Sequence, residues 1–184
     1  MSQVVIRRQT KTVAALAFHP FQPIFFVATQ QHVRVYHLLQ QKLMKKLLTG
    51  CKMVSCMDVH PSGDHVLIGS YDRRVVWFDL DRGGMPYKTL KYHTHALRGL
   101  GFHRAYPLMA TASDDGSVHV FHATVYSDLM KDPLLVPVKQ LVHRQASSSS
   151  SSSKKAALAL AFHSTQPWLF SAGSDNNIVL FQDL

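Results

Sequence analysis

The stretch Leu16-Ala17-Phe18-His19-Pro20 decides the fold, because the chain writes it four times. It returns as Met57-Asp58-Val59-His60-Pro61, Leu100-Gly101-Phe102-His103-Arg104 and Leu160-Ala161-Phe162-His163-Ser164. Each copy is a short apolar run that ends in an aromatic residue or valine plus histidine and then enters a turn. A second strand-like run follows, then a polar turn, then a third run. The third runs are VRVYHL from Val33, VVWFDL from Val75, VHVFHA from Val118 and IVLFQDL from Ile178. The intervals between the four histidines are 41, 43 and 60 residues.

A period of about 40–45 residues holding several short strands is the mark of a WD-type β-propeller blade. One blade buries neither of its faces alone, so blades must stack. The spacing predicts an all-β, WD-repeat β-propeller fold with blades at about 12–48, 53–91, 96–142 and 157–182. A run at 3–8 (QVVIRR) has the pattern of the outermost strand of an earlier blade. The polar turns carry Asp72 in SYDRR, Asp114 in SDDGS and Asp175 in SDNN, and aspartate in such turns bonds its own backbone. The first blade has Gln30 and Gln31 there instead. Trp77-Phe78-Asp79 is the nearest match to a WD dipeptide, with Trp77 as its repeat tryptophan; the other blades read Tyr36-His37, Phe121-His122 and Phe181-Gln182. The Gly-His pair expected before each innermost strand is reduced to echoes at KYHTH (91–95) and Val142-His143. The side-chain network that ties many WD blades is therefore expected in blades two and three at most.

Two segments interrupt the repeat. Residues 123–136 (ATVYSDLMKDPLLV) read as an excursion between the third and fourth strands of blade three. Residues 143–156 contain seven consecutive serines, Ser147 to Ser153. A serine run buries no apolar area, so a flexible loop is expected.

Several function classes drop out. No apolar run is long enough to cross a membrane, so no membrane partner is expected. Cys51 and Cys56 are too few for a disulfide scaffold. His19, His60, His103 and His163 share one repeat position and so lie in four different blades, where they cannot converge on one ion; their expected role is to close the turn after each innermost strand. No nucleotide-binding glycine loop or nucleophile elbow occurs. No enzyme activity, metal, cofactor or small-molecule substrate is expected. Binding is the remaining class.

Charge suggests one partner and apolar residues another. All 11 acids are aspartate, and the first is Asp58. Residues 1–57 hold eight lysines and arginines against a net charge of +9 for the whole chain. Such asymmetry suits RNA phosphates, with Arg34, Lys42, Lys45, Lys46 and Lys52 as the contact set. The competing reading makes these solvated positions on outer strands, where lysine discourages edge pairing. Tyr126, Leu129, Leu134 and Leu135 in the excursion suit a protein partner, or else they pack the loop onto blade three.

Beyond the generic repeat, QHVRVYHLLQQKLMKKL (31–47), GSYDRRVVWFDLD (69–81), PYKTLKYHTHALRGLGFH (86–103) and YPLMATASDDGSVHVFHATVYSDLMKDPLLVPVKQL (106–141) together resemble the eukaryotic block-of-proliferation ribosome-biogenesis family. The close, FHSTQPWLFSAGSDNNIVLF (162–181), resembles that family's last blade. The VYSDLMKDPLLVPVK segment is the most specific part, since an ordinary propeller has no reason to carry it. The resemblance implies a scaffold in large-subunit assembly, acting in maturation of the large-subunit and 5.8S rRNAs within a pre-ribosomal particle in the nucleolus and nucleoplasm. It implies two protein partners, a pescadillo-type protein and a second WD-repeat assembly factor. The family's propeller has seven blades and a long N-terminal extension that carries the pescadillo-binding region; the resemblance covers neither that extension nor the first blades. About four blades of a seven-blade, hence partial, propeller are expected. A four-blade ring closed by residues 3–8 is the other possibility, disfavoured by wedge angles suited to seven. Alternatives to the assembly role are a general WD-repeat protein adaptor, a substrate receptor for a ubiquitin ligase, or a truncated form without function of its own. The RNA reading requires that charge reversal at Lys45 and Lys46 weaken RNA affinity at moderate salt in a filter-binding titration; unchanged affinity removes that contact set.

Overall fold

The computed structural model describes residues 9–126, 132–143 and 155–184. Alternating β-branched and aromatic residues, broken by Gly, Pro, Asn and Asp turns, give four antiparallel meanders. Sheet 1 contains β1 (Val13–Phe18), β2 (Ile24–Thr29), β3 (His32–His37) and β4 (Lys42–Leu48). Sheet 2 contains β5 (Val54–Val59), β6 (His65–Ser70), β7 (Val75–Asp79) and β8 (Lys88–Leu90). Sheet 3 contains β9 (Leu97–Phe102), β10 (Leu108–Ser113), β11 (Ser117–Thr124) and β12 (Leu134–Val142). Sheet 4 contains β13 (Ala157–Phe162), β14 (Leu169–Gly173) and β15 (Ile178–Phe181). The sheets stand side by side through their first strands, β1 on β5, β5 on β9 and β9 on β13.

Three cores form, each between two neighbouring sheets. Phe26, Val35 and Leu47 of sheet 1 meet Val66, Ile68 and Phe78 of sheet 2. Leu67, Trp77 and Leu90 of sheet 2 meet Leu97, Phe102, Met109 and Phe121 of sheet 3. Ala110, Val118 and Val120 of sheet 3 meet Ala157 and Leu169 of sheet 4, with Phe162, Phe181 and Leu184 packed alongside. Among the described residues no such core joins sheet 4 to sheet 1. The molecule is an arc, a partial β-propeller. Residues 3–8 and the serine run, to which the sequence assigns an outer strand and a loop, lie outside the described residues.

Register repeats from sheet to sheet. The first strand carries a bulge at Ala14, Ser55, Arg98 and Leu158, the same position each time. A bulge leaves one residue unpaired and re-aims its side chain. In sheet 3 it sends Arg98 sideways to stack on Tyr71 of sheet 2 at 4.9 Å and to pair with Asp114 at 2.8 Å.

The excursion is smaller than the sequence suggests. β11 runs on to Thr124 and β12 begins at Leu134, with Thr124 paired to Leu134 and Phe121 to Pro137. β-branched residues on both arms extend the hairpin, and Pro137, which has no N–H to give, is tolerated because β12 is an edge strand. Arg82 of sheet 2 ties the hairpin down through Asp132 at 2.8 Å and lies over Tyr87 at 5.1 Å.

Phe18 and Phe102 occupy one repeat position, yet Phe18 is 71% exposed and Phe102 only 7%. Phe102→Ala is expected to lower unfolding free energy by about 3–5 kcal/mol, whereas Phe18→Ala changes it by less than about 0.5 kcal/mol. Chemical denaturation of the two variants checks the contrast.

Candidate functional site and interaction surfaces

The four repeat histidines sit just after β1, β5, β9 and β13, and each turns its Nδ1 onto the turn that follows. His19 Nδ1 accepts from the N–H of Phe21 (3.1 Å) and Gln22 (3.0 Å). His103 Nδ1 accepts from Ala105 (2.9 Å) and Tyr106 (3.0 Å), and His163 Nδ1 from Thr165 (3.2 Å) and Gln166 (3.0 Å). His60 Nδ1 accepts from the Ser62 N–H at 3.1 Å. An Nδ1 that accepts from amides leaves the proton on Nε2. That edge reaches the next sheet. His103 Nε2 donates to the Gln166 carbonyl at 2.8 Å, and the His19 ring fills the space beside Gly63, whose φ of +91° and lack of Cβ both permit the approach. Burial, with neighbouring His65, pushes His60 down to about 4.

At the opposite strand ends, a second set of histidines locks the polar turns. His93 Nε2 meets Thr111 Oγ1 at 2.8 Å, and its Nδ1 lies 3.0 Å from Ser117 Oγ and 3.3 Å from Asp115 Oδ2. His143 bonds Ser171 Oγ at 2.6 Å and Asp175 Oδ1 at 3.0 Å, resting on Gly173, where any Cβ would collide with its ring. The network thus occupies sheets 3 and 4, not sheets 2 and 3. In sheet 2 Cys51 stands where a histidine would, buried beside Ser70 and Asp72, and burial pushes its thiol up.

Two repeat assignments shift. In sheet 3 the turn aspartate is Asp115, not Asp114: Asp115 takes the Ser117 and Thr94 N–H groups at 2.9 and 2.8 Å, while Asp114 points outward to Arg98. Its signal was in the sequence, since Asp72, Asp115 and Asp175 each precede Phe78, Phe121 and Phe181 by 6 residues. In sheet 2 the repeat aromatic is Phe78, not Trp77, because a one-residue step along a strand reverses the face. Trp77 lies on the other side, between sheets 2 and 3, where Nε1 donates to His65 Nδ1 at 3.1 Å and the ring meets Phe102 edge-on at 5.6 Å.

The basic set does not converge. Arg34 and Lys46 are register partners on the free face of sheet 1, where Arg34 donates to Gln9 Oε1 at 2.7 Å. Lys45 turns to the other face and donates to the Leu80 carbonyl of sheet 2. Lys42 is at the start of β4 and Lys52 in the loop before β5, both exposed. The excursion residues separate too. Leu135 packs into the core between sheets 2 and 3, Tyr126 and Leu134 are exposed, and Leu129 lies outside the described residues.

Sequence reading missed Asp58. A groove of about 280 Å³ opens between β5, β9 and β13, lined by Asp58, Arg104 and His163 among others. The Asp58 carboxylate accepts the N–H of Phe102 at 2.8 Å and of Val59 at 2.9 Å, so it straps sheet 2 to sheet 3. Burial pushes its pKa up, against those two bonds and the nearby Arg104. Among the described residues no three histidine, cysteine or aspartate side chains cluster as metal ligands.

These groups set the acid response. Burial pushes His93 down to about 4, only partly offset by Asp115. Burial raises Asp115, but the bonds from Ser117, Thr94 and His93 win and leave it low; the Asn177 amide, against burial, holds Asp175 at about 2 with help from His143. Between pH 6.5 and 4 the unfolded chain therefore binds protons that folded His93 and His60 refuse, so stability falls as pH drops. Below 3.8 the two aspartates extend the loss. Melts from pH 7 to 4 should show about 2–3 kcal/mol of destabilisation from His93 alone, and His93→Gln should make the profile shallower while lowering stability at pH 7.

Comparison with known proteins agrees with this geometry. The WD domain, G-beta repeat family matches residues 42–79, 84–122 and 146–182. The chain is 51% identical over 180 residues to "Ribosome biogenesis protein BOP1 homolog" of Chlamydomonas reinhardtii, covering 98% of this chain and 22% of that protein. It is 52% identical over 180 residues to "Ribosome biogenesis protein BOP1" of Rattus norvegicus, covering 98% and 24%. It is 52% identical over 169 residues to "Ribosome biogenesis protein ERB1" of Malassezia globosa, covering 92% and 19%. The chain spans about a quarter of the length of these relatives. It belongs to the WD-repeat family, as a partial β-propeller that is similar to one part of the longer proteins named BOP1 and ERB1.

Proposed function

We propose that the chain is a non-catalytic scaffold in assembly of the large ribosomal subunit, supporting maturation of the large-subunit and 5.8S rRNAs in a nucleolar and nucleoplasmic particle. The observation that carries this reading is identity of about half along 98% of the chain to proteins named for ribosome biogenesis. The geometry is compatible with it. The buried histidines and Asp58 are committed to turns and inter-sheet straps, which leaves the rim to contact partners. On that rim the loop end of the β11–β12 hairpin is held by Arg82, through Asp132, and by Leu135, while Tyr126 and Leu134 are exposed. Exposed aromatic and aliphatic side chains on a hairpin end held in this way favour a protein partner over RNA; a pescadillo-type protein and a second WD-repeat assembly factor are the candidates. Because the basic residues are spread over different faces, pre-rRNA contact falls to exposed Lys42, Lys46 and Lys52 as separate, salt-sensitive phosphate contacts.

Replacing the matching stretch of the rat relative with this chain tests the reading. The chimera is expected to enter pre-ribosomal fractions and to sustain mature large-subunit rRNA when the native protein is depleted. A stably expressed chimera that fails on both counts overturns it.

A further inference from the structure

Aspartates that this fold takes out of water meet a cation or an imidazole. Asp72 pairs with Arg74, Asp79 with Arg82, Asp114 with Arg98, Asp115 with His93 and Asp175 with His143. Asp58 is the exception among the described residues. It is half-buried, and no basic side chain comes within ion-pair distance of it. The other unpaired acids, Asp64, Asp81 and Asp183, are exposed. The repeat does not ask for a carboxylate at this place. The counterparts of Asp58 are Ala17, Gly101 and Ala161, and sheets 3 and 4 pack on each other without one.

Asp58 lines the groove between β5, β9 and β13, whose centre is sheet 3, flanked by a sheet on each side. Its volume of about 280 Å³ is just under the range of about 300–1,000 Å³ for small-molecule pockets, and it suits one long side chain better than a cofactor. Leu100, Leu160 and Phe162 give it apolar walls. Gly101 keeps it open beside the carboxylate: a Cβ there would stand 3.4 Å from Leu160 Cδ1 and 3.6 Å from Asp58 Oδ2. On the rim are two further titratable groups. His163 has committed its Nδ1 to the Thr165 and Gln166 amides. Arg104 is exposed and near enough to lower the Asp58 pKa, but it makes no ion pair.

The carboxylate has acceptor capacity left over. Oδ1 accepts the Val59 N–H and Oδ2 the Phe102 N–H. A carboxylate oxygen offers about two acceptor sites, so one remains on each. A two-pronged donor matches that pair, and guanidinium presents two parallel N–H bonds in this way. The aliphatic stem of an arginine matches the apolar walls, as such stems lie along apolar surface while the head stays polar. We propose that the groove receives an arginine side chain of a partner protein, with its guanidinium on Asp58. The site stands on the groove and its carboxylate, so it is independent of the scaffold reading.

An NMR titration of the full 184-residue chain with N-acetyl-arginine methylamide, whose backbone is uncharged, tests it. Saturable shifts are expected at the Val59, Gly101 and Phe102 amides. The citrulline analogue has the same shape without the charge and is expected to bind at least about tenfold more weakly, the worth of one charge-assisted hydrogen bond. Asp58→Asn is expected to abolish saturation. That substitution also loosens the strap to sheet 3, so Gly101→Ala serves as a second variant. Its methyl stands at ordinary contact distance, so it is expected to melt like the parent while binding arginine at least about tenfold more weakly. Arg104→Ala is expected to bind arginine at least as well as the parent, since it removes a like charge. Absence of saturable shifts at those amides overturns the proposal, as does equal binding of the citrulline analogue or parent-like binding by Gly101→Ala. Loss of arginine binding in Arg104→Ala, with inorganic phosphate shifting the same amides in the parent, makes the groove an anion site and overturns it too.

Discussion

Everything in this molecule depends on burial between neighbouring sheets. A single antiparallel meander of three or four strands has two apolar faces and no means of covering either. Phe26 and Phe78, Trp77 and Phe102, and Ala110 and Leu169 leave water only because another sheet stands against them. The same chemistry at the ends, at Phe18 and Phe170, stays exposed. Burial here is therefore a property of position in the stack rather than of residue type.

The polar machinery serves the stacking. Turns between strands leave backbone N–H groups that need acceptors, and the chain answers with imidazoles and aspartates. At one set of strand ends His19, His60, His103 and His163 accept two amides each or bond a nearby serine; at the other, His93 and His143 meet a hydroxyl and a carboxylate. Several of these also cross to the next sheet, as do Asp58 and Arg98. Such links fix the angle between sheets, which non-directional apolar contact leaves loose. At His60 and His93 burial also disfavours the charged ring, which ties integrity to pH.

The fold divides the basic and apolar side chains between its interior and its surface. Lys45 bonds the Leu80 carbonyl and Leu135 packs on a core, while Leu134, Lys42 and Lys52 are exposed. A charge run in sequence need not be a charged patch, since neighbours on a strand point to opposite faces.

The sequence by itself determined the repeat, the strand order within each sheet and the all-β class, because period-2 alternation and turn residues are local signals. It also held the turn aspartates, through the six-residue step from Asp115 to Phe121, although the adjacent Asp114 obscured it. Only the tertiary structure decided which residues meet across sheets. It moved the repeat aromatic from Trp77 to Phe78, since one step along a strand changes the face. It put Cys51 at a histidine's station, drew the excursion into a longer hairpin, and scattered the basic set. Those outcomes depend on register and on which sheet stands opposite, and contacts between residues so far apart in the chain leave no mark in local pattern.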